Sequence, residues 1–298
     1  MQSVYSHIDK NKRTTLIVMI CFAAIITFIG WFVGQYYFEG SGVAFVGFAL
    51  IFSGITSFIS YYNSDKMVLA ISGAKEVPFE VSPDLHKLVD NMCIASGLPK
   101  PKIYMIDDSA PNAFATGRDP EHAVLCFTTG IVHKLEKREL EGVIAHELSH
   151  IQNYDILLMS VVSILVGSVT LLADWFSRGM FYGGRKKSSK SSGGILMIVG
   201  LVLIILSPII ATLIKLAISR NREFLADASA VMLTRHPKGL TDALIKISSD
   251  KDILEAANGA TAHLYISNPL KGKSNGMFAN LFNTHPPVEE RINRLQGM

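Results

Sequence analysis

The chain has 298 residues with a formal net charge of +3, and 49% of them are hydrophobic while only 18% are charged. This composition is too apolar for an ordinary soluble protein and predicts a membrane protein. The small net charge gives no indication of nucleic-acid binding. The three cysteines, Cys21, Cys93 and Cys126, lack metal-ligand spacing, so we expect buried thiols in a reducing compartment.

Two apolar segments near the N-terminus, residues 14–34 and 42–62, are each long enough to cross a bilayer. The first has basic residues before it, as a signal peptide would. Its apolar core is too long for one, however, and no small-residue cleavage site follows, so it is interpreted as an uncleaved anchor. Basic residues flank both outer ends of this predicted hairpin: Lys10, Lys12, Arg13, Lys66 and Lys75. The positive-inside rule then predicts that both ends face the cytoplasm.

Residues 63–155 are less apolar and show a mixed pattern of helix and strand. Ser82 as a capping residue, followed by Pro83, predicts the start of a helix that Gly97 ends. Short strands are predicted at residues 102–106, 112–116 and 123–127. The second strand has small side chains and is the preferred sheet edge, to which an extended peptide could add. An ordinary hairpin strand without substrate contact is an equal alternative; its residues are Asn112, Ala113, Phe114, Ala115 and Thr116.

The strong helix formers from residue 137 onward predict a helix that carries His146-Glu147-Leu148-Ser149-His150. Histidines four residues apart lie on one face of a helix and can reach the same cation. Glu147 lies to the side of that pair, where its carboxylate can take a proton from a metal-activated water. This pattern indicates a zinc-protease site. The alternative is an amphipathic helix with two surface histidines.

A catalytic zinc needs a third protein ligand. Asn153 and Ile156 stand where the motif with a nearby third histidine requires glycine and histidine, so that class is excluded. Glu223 is the best candidate for a glutamate ligand from a later helix. Asp227, one turn further, could accept a hydrogen bond from the far nitrogen of a ligand histidine. The alternative is a solvated charged face paired with neighbouring arginines.

Two further apolar segments, residues 156–173 and 194–219, begin just after His150 and end just before Glu223. An antiparallel hairpin would bring the ligands together at its open end. The zinc would then lie near the membrane interface, on helices continuous with the hairpin. The basic loop from Arg185 to Lys190 opposes the positive-inside bias if this hairpin spans. Either the first hairpin sets the orientation, or the second packs into the protein or the interface. The loop is interpreted as solvated, with contact to anionic lipid as the alternative.

The C-terminal part is again helical and ends in a predicted helix over residues 289–295. His285 lies in the run Thr284-His285-Pro286-Pro287, whose prolines predict a turn. It could donate a hydrogen bond to a developing oxyanion, or it could be an ordinary turn histidine.

Taken together, these residues resemble the HtpX-type membrane metallopeptidases, relatives of the CAAX prenyl endopeptidases. The resemblance covers nearly the whole chain, including the His motif and both apolar hairpins. Its further motifs are Pro111-Asn112-Ala113-Phe114-Ala115-Thr116-Gly117, Glu223-x-x-x-Asp227, and His285-Pro286-Pro287 with Arg291. It implies one zinc ion per chain bound by His146, His150 and Glu223, with Glu147 as base and His285 and Asp227 in supporting roles. Residues 112–116 would line the substrate groove.

The resemblance also implies an α+β, mostly helical fold: an integral-membrane, gluzincin-type metalloprotease with two apolar helical hairpins and a small sheet ahead of the zinc helix. Four parts are expected: a transmembrane hairpin (1–62), a cytoplasmic catalytic part with the sheet and the HExxH helix (63–155), a second hairpin (156–219) and a part that supplies the third ligand (220–298). The implied enzyme is a multi-pass protein of the plasma or inner membrane. Its active site faces the cytoplasm, and it cleaves misfolded membrane proteins in quality control and stress responses. Its partners are protein and peptide substrates and the lipid bilayer, without nucleic acid.

Two other functions remain open at this stage. A prenyl-protein endopeptidase is compatible with the resemblance, although four apolar segments predict a smaller membrane chamber. A non-catalytic membrane adaptor could use a closed zinc site to hold its hairpins together. Glu147 argues against the adaptor, because a purely structural site does not require it.

Overall fold

The computed structural model describes residues 4–37, 41–183, 213, 219–269 and 286–298. Helices α1 (Val4–Tyr37) and α2 (Gly42–Tyr62) form the N-terminal hairpin, and both are long and apolar enough to cross a membrane. Many of their apolar side chains are exposed, including those of Ile20, Phe48 and Phe58. Such a surface is unfavourable in water and indicates contact with lipid. The predicted spans are thus confirmed as helices, the first as the apolar part of a longer one.

Along the chain, the strands of a four-stranded sheet come after the first hairpin and before the motif helix. Its order is β1-β2-β4-β3, and β3 forms one edge. Strand β4 pairs parallel with β2 and antiparallel with β3, while β1 pairs antiparallel with β2. The strands are β1 (Lys75–Glu76), β2 (Lys102–Ile106), β3 (Ala113–Thr116) and β4 (Val124–Thr128). The predicted strand 102–106 matches β2, and the other two are each displaced by one residue at one end or both. Strand β1 is too short to leave a sequence pattern.

Three helices surround this sheet: α3 (Ser64–Ile71), α4 (Pro83–Ser96) and α5 (Thr129–Lys134). Helix α4 ends at Gly97, whose φ of 70° places it in the left-handed region that glycine adopts without strain. Ser82 occupies the N-cap position, but its side chain makes no capping hydrogen bond there. The predicted start and end are therefore right, while the capping role of the serine side chain is wrong.

Helix α6 (Lys137–Gln152) carries the His motif, and α7 (Asp155–Gly183) follows it after a short turn. A capping box of Glu136 and Glu139 fixes the start of α6. The axes of α6 and α7 differ by 83°. The expectation that the motif helix continues into the apolar hairpin is wrong, because Tyr154 adopts a left-handed φ of 58° and ends the helical path.

The first half of α7 is covered by protein. Its side chains from Ile156 to Leu165 are buried, and the helix packs against α1, α2 and α3. For this segment the structure favours packing into the protein over exposure to lipid. The structure describes only Leu213 and Ser219 of the fourth predicted segment, residues 194–219. The basic loop from Arg185 to Lys190 lies outside the described residues, so its predicted orientation stays open.

Helices α8 (Arg220–Thr234), α9 (Pro237–Ser249) and α10 (Val288–Gln296) complete the described chain. Helices α8 and α9 both pack against α6, and α10 packs against α8 and α9. The predicted terminal helix lies within α10. The fold is α+β and mostly helical, as expected, whereas the division of the chain into four parts stays a prediction.

Candidate metal centre

Helix α6 brings the two motif histidines together, because residues four apart are neighbours on a helix face. His146 and His150 are 0% and 4% exposed, and their Nε2 atoms lie 3.2 Å apart. Two buried imidazoles so close to each other are costly unless both nitrogens of each ring are satisfied. The surface-histidine alternative is therefore wrong for this helix.

Glu223 on α8 provides the third donor. Its Oε1 lies 3.6 Å from the Nε2 of His150, and its Oε2 lies 3.8 Å from the Nε2 of His146. One ligand atom from each of the three residues lies within 4.8 Å of the others. Zinc binds nitrogen and carboxylate oxygen at about 2.0–2.2 Å, so tetrahedral ligands are separated by about 3.3 Å. The two histidines and the glutamate thus fit a metal ion of this size.

The far nitrogen of each histidine faces its own carboxylate. The Nδ1 of His146 lies 3.0 Å from Asp227 Oδ1, and the Nδ1 of His150 lies 3.0 Å from Asp155 Oδ2. A hydrogen bond from Nδ1–H selects the tautomer in which Nε2 is free to bind a metal. The structure places Asp227 where the sequence predicts it. Asp155 was missed, because its approach to His150 depends on the turn between α6 and α7.

Arg291 on α10 contacts both Asp227 and Glu223. It is 1% exposed, and it donates through Nε to Asp227 Oδ2 at 2.9 Å and through Nη2 to Asp227 Oδ1 at 2.6 Å. Its Nη1 lies 3.4 Å from Glu223 Oε2. Burial alone would raise the pKa of Asp227, but the Arg291 charge and the His146 hydrogen bond hold this pKa below its usual value. Sequence reasoning gave this arginine no role beyond its place in a motif.

Glu147 lies close to the cluster of His146, His150 and Glu223 and to the sheet edge. Its side chain is 2% exposed, and the backbone N–H of Ala115 donates a hydrogen bond to its carboxylate. Burial, opposed in part by the charge of His150, raises the pKa of Glu147 to about 7. The structure thus places a carboxylate of near-neutral pKa beside the three candidate ligands and in contact with β3.

Strand β3 has its backbone groups directed alternately toward β4 and away from it. The C=O of Asn112 accepts a hydrogen bond from Thr128 on β4, so Ala113 and Ala115 direct their groups outward. The Ala113 C=O already accepts a hydrogen bond from Ile266 N–H at 2.9 Å. Strand β3 is an edge strand, as predicted, but its first half is covered by the segment around Ile266. The predicted site residue His285 lies outside the described residues.

Comparison with known proteins places the chain in a family. Residues 80–298 match the model of peptidase family M48. The chain is 45% identical over 294 residues to a protease HtpX homolog from Dictyoglomus thermophilum, with 99% of this chain and 94% of that protein covered. A protease HtpX homolog from Caldanaerobacter subterraneus is 42% identical over 301 residues, with 100% and 98% covered.

The crystal structure of Ste24p from S. mikatae has a similar fold, with a TM-score of 0.52 at 21% sequence identity. The match covers 96% of this chain and 66% of that one. The resemblance inferred from the motifs is confirmed by these matches. The chain belongs to peptidase family M48 and is a membrane metallopeptidase, a hydrolase that cleaves peptide bonds.

Proposed function

We propose that zinc is the metal of this endopeptidase, bound by His146, His150 and Glu223, and that Glu147 is its general base. The observation that carries the proposal is the buried cluster of three ligand atoms within 4.8 Å of one another. The contact between Glu147 and the sheet edge supports it further.

A zinc ion held by His146, His150 and Glu223 would supply Lewis acidity for the scissile carbonyl and would lower the pKa of a water molecule toward about 7. Glu147 accepts the proton of the attacking water and returns it to the leaving amine. Asp227 and Asp155 keep the Nε2 atoms of the two histidines directed at the ligand cluster. The Ala115 N–H fixes the direction of the Glu147 carboxylate.

The substrate is proposed to bind as an extended peptide along β3. Addition of a strand to a sheet edge uses outward-directed backbone groups. Because Ile266 already pairs with Ala113 and the Ala115 N–H is directed at Glu147, such a peptide pairs with the Ala115 C=O. That half of the strand is also the half that contacts Glu147, so the pairing brings the peptide backbone next to the base. The backbone groups of Asn112, Phe114 and Thr116 pair with β4 and so hold the strand in place.

Misfolded or damaged membrane proteins are the proposed substrates, and quality control during stress is the proposed role. The relatives named protease HtpX homologs cover the whole chain, and the lipid-facing surface of α1 and α2 keeps the enzyme in the bilayer. We place it in the plasma or inner membrane with the site on the cytoplasmic side. Basic residues at the N-terminal end of α1, which lies beside the site, support this orientation.

The test is cleavage of an unfolded protein by the detergent-purified enzyme. Replacing Glu147 with glutamine removes the base but leaves all three ligands, so zinc stays bound while cleavage falls by about 100- to 10,000-fold. Glu141→Gln is the matched control, since Glu141 lies on α6 away from the site. Chelation abolishes wild-type cleavage, and added zinc restores it. A Glu147→Gln protein that cuts at the wild-type rate would contradict the assignment.

The same preparations distinguish the prenyl-protein alternative. A prenylated peptide and its unmodified counterpart are offered side by side to the wild-type enzyme. We expect comparable cleavage of both. Cleavage of the prenylated peptide alone would favour the alternative substrate class.

A further inference from the structure

Helix α1 carries a buried polar group close to the metal centre. Asn11 is 4% exposed, although most of this helix is apolar and faces outward. Its Nδ2 donates to Asp155 Oδ1 at 2.6 Å and to the backbone carbonyl of Asn153 at 2.9 Å. Both hydrogen bonds therefore reach the turn that joins α6 to α7.

Asp155 connects this asparagine with a metal ligand. Its other oxygen, Oδ2, lies 3.0 Å from His150 Nδ1, while Oδ1 is also 3.2 Å from Arg222 Nε on α8. The carboxylate is 1% exposed, so neighbouring side chains, rather than bulk water, determine its orientation. Asn11 and Arg222 together hold the oxygen that does not contact the histidine.

The turn itself needs support. Tyr154 has a left-handed φ of 58°, a conformation that is unfavourable for a residue with a bulky side chain. Lys12, next to Asn11 on α1, lies with its Nζ 4.2 Å from the centre of the Tyr154 ring. Helix α1 thus contacts this turn through two consecutive residues, at the position where the chain passes from His150 to Asp155.

We infer that Asn11 is a positioning residue of the metal centre, which holds Asp155 and through it the imidazole of His150. The inference rests on the proposed function, in which His150 binds the zinc. It makes the first membrane helix part of the active site as well as an anchor. Groups that orient a ligand histidine typically change metal affinity by about 10- to 100-fold when they are removed.

The first experiment measures zinc affinity of the full-length protein by competition with a chelating dye. Asn11→Leu keeps the approximate volume but removes both donors, and we expect zinc to bind about 10-fold more weakly. Thr15→Val is the matched control: Thr15 is 1% exposed on the same helix, and its hydroxyl donates to the backbone of Asn11 at 2.9 Å. This variant is expected to keep wild-type affinity. Equal affinities for the wild type and Asn11→Leu would overturn the inference.

A double-mutant cycle then tests whether Asn11 acts through Asp155. Asp155→Ala alone is expected to weaken zinc binding by about 10- to 100-fold. Adding Asn11→Leu to it should change the affinity by less than about 2-fold, since the partner is already absent. Full additivity would show that Asn11 acts by another route and would overturn the inference.

A purely structural role of Asn11 is separated from positioning by two readouts. Thermal unfolding of the zinc-free proteins reports the loss of buried hydrogen bonds. Both Asn11→Leu and Thr15→Val remove such bonds, so both are expected to lower the unfolding temperature. The absorption spectrum of the cobalt-substituted protein reports ligand geometry, and we expect only Asn11→Leu to change it. If the wild type binds no zinc at all, the proposed function fails. If it binds zinc but the cobalt spectrum of Asn11→Leu is unchanged, only this inference fails.

Discussion

The candidate metal centre contains more buried acidic side chains than basic ones among the described residues. Four carboxylates line it, those of Glu147, Asp155, Glu223 and Asp227, and each is at most 4% exposed. Two guanidinium groups face them, those of Arg291 and Arg222. With all four acids ionised, these two arginines offset only two of the four negative charges that the described residues place in this region of low dielectric. A divalent cation bound by the two histidines and Glu223, as proposed, would offset the remaining negative charge.

Arg291→Met tests how strongly this balance stabilises the protein. Removing the guanidinium leaves Asp227 as a buried carboxylate without its cationic partner, and breaking a buried pair in this way costs about 3–5 kcal/mol. We expect a large fall in the thermal unfolding temperature of the detergent-purified protein. Arg294→Met on the same helix is the control, because Arg294 pairs with Glu290 at the exposed surface and such pairs contribute below about 1 kcal/mol. Equal effects of the two substitutions would contradict this explanation.

The sequence predicted those parts of the site that are local. His146, Glu147 and His150 lie within one helix, whose geometry fixes their relation. Glu223 and Asp227 could be found for the same reason, once a third ligand was required. Asp155 and Arg291 could not, because their approach to the histidines depends on a turn and on the docking of a distant helix. Neither feature leaves a periodic pattern in the sequence.

At the scale of elements, α6 keeps its position through a close contact with α9. A Cβ added at Gly142 would lie 2.7 Å from the backbone nitrogen of Leu240 and 2.9 Å from its Cα. The backbones of the two helices therefore meet at a distance that only glycine permits. Since α6 carries the two histidines and the glutamate that we propose as metal ligands and base, this contact also sets where the site lies relative to α9.

Gly142→Ala is expected to destabilise the protein although alanine is the better helix former. The gain in helix propensity is about 1 kcal/mol, whereas overpacking against backbone atoms costs about 1–3 kcal/mol and moves α6 away from α9. We expect a lower unfolding temperature and reduced cleavage. Gly167→Ala on α7 is the control, because the nearest atom to its added Cβ is 3.7 Å away. A more stable Gly142→Ala protein would show that α9 adapts without cost.

Elements with regular periodicity were predicted well, and their junctions were not. The apolar pattern of α2 and the Pro83 and Gly97 signals of α4 gave their positions to within one residue. The prediction for the junction of α6 and α7 was wrong. Tyr154 adopts a left-handed conformation there, and no glycine or proline at this position indicates it in the sequence. Such a turn is maintained by tertiary contacts, here those of Asn11 and Lys12.

At the scale of the whole molecule, the metal centre lies at one end of the first membrane hairpin. Asn11, near the start of α1, contacts Asp155 in the site, whereas Ser41 stands at the turn between α1 and α2. The apolar length of α1 separates these two positions. Lys10, Lys12 and Arg13 lie at the end beside the site, so the positive-inside rule predicts that this end and the site face the cytoplasm.

Labelling with a membrane-impermeant maleimide tests this orientation. Ser41→Cys and Asp84→Cys both introduce thiols at exposed positions, on the far side of the hairpin and on the catalytic side respectively. Native Cys93 and Cys126 are buried and Cys21 lies within the apolar part of α1, so these thiols react slowly. In intact cells we expect label on Ser41→Cys only, and in inverted membrane vesicles on Asp84→Cys only. The reverse pattern would place the metal centre outside the cytoplasm, where unfolded cytoplasmic segments of membrane proteins could not reach it.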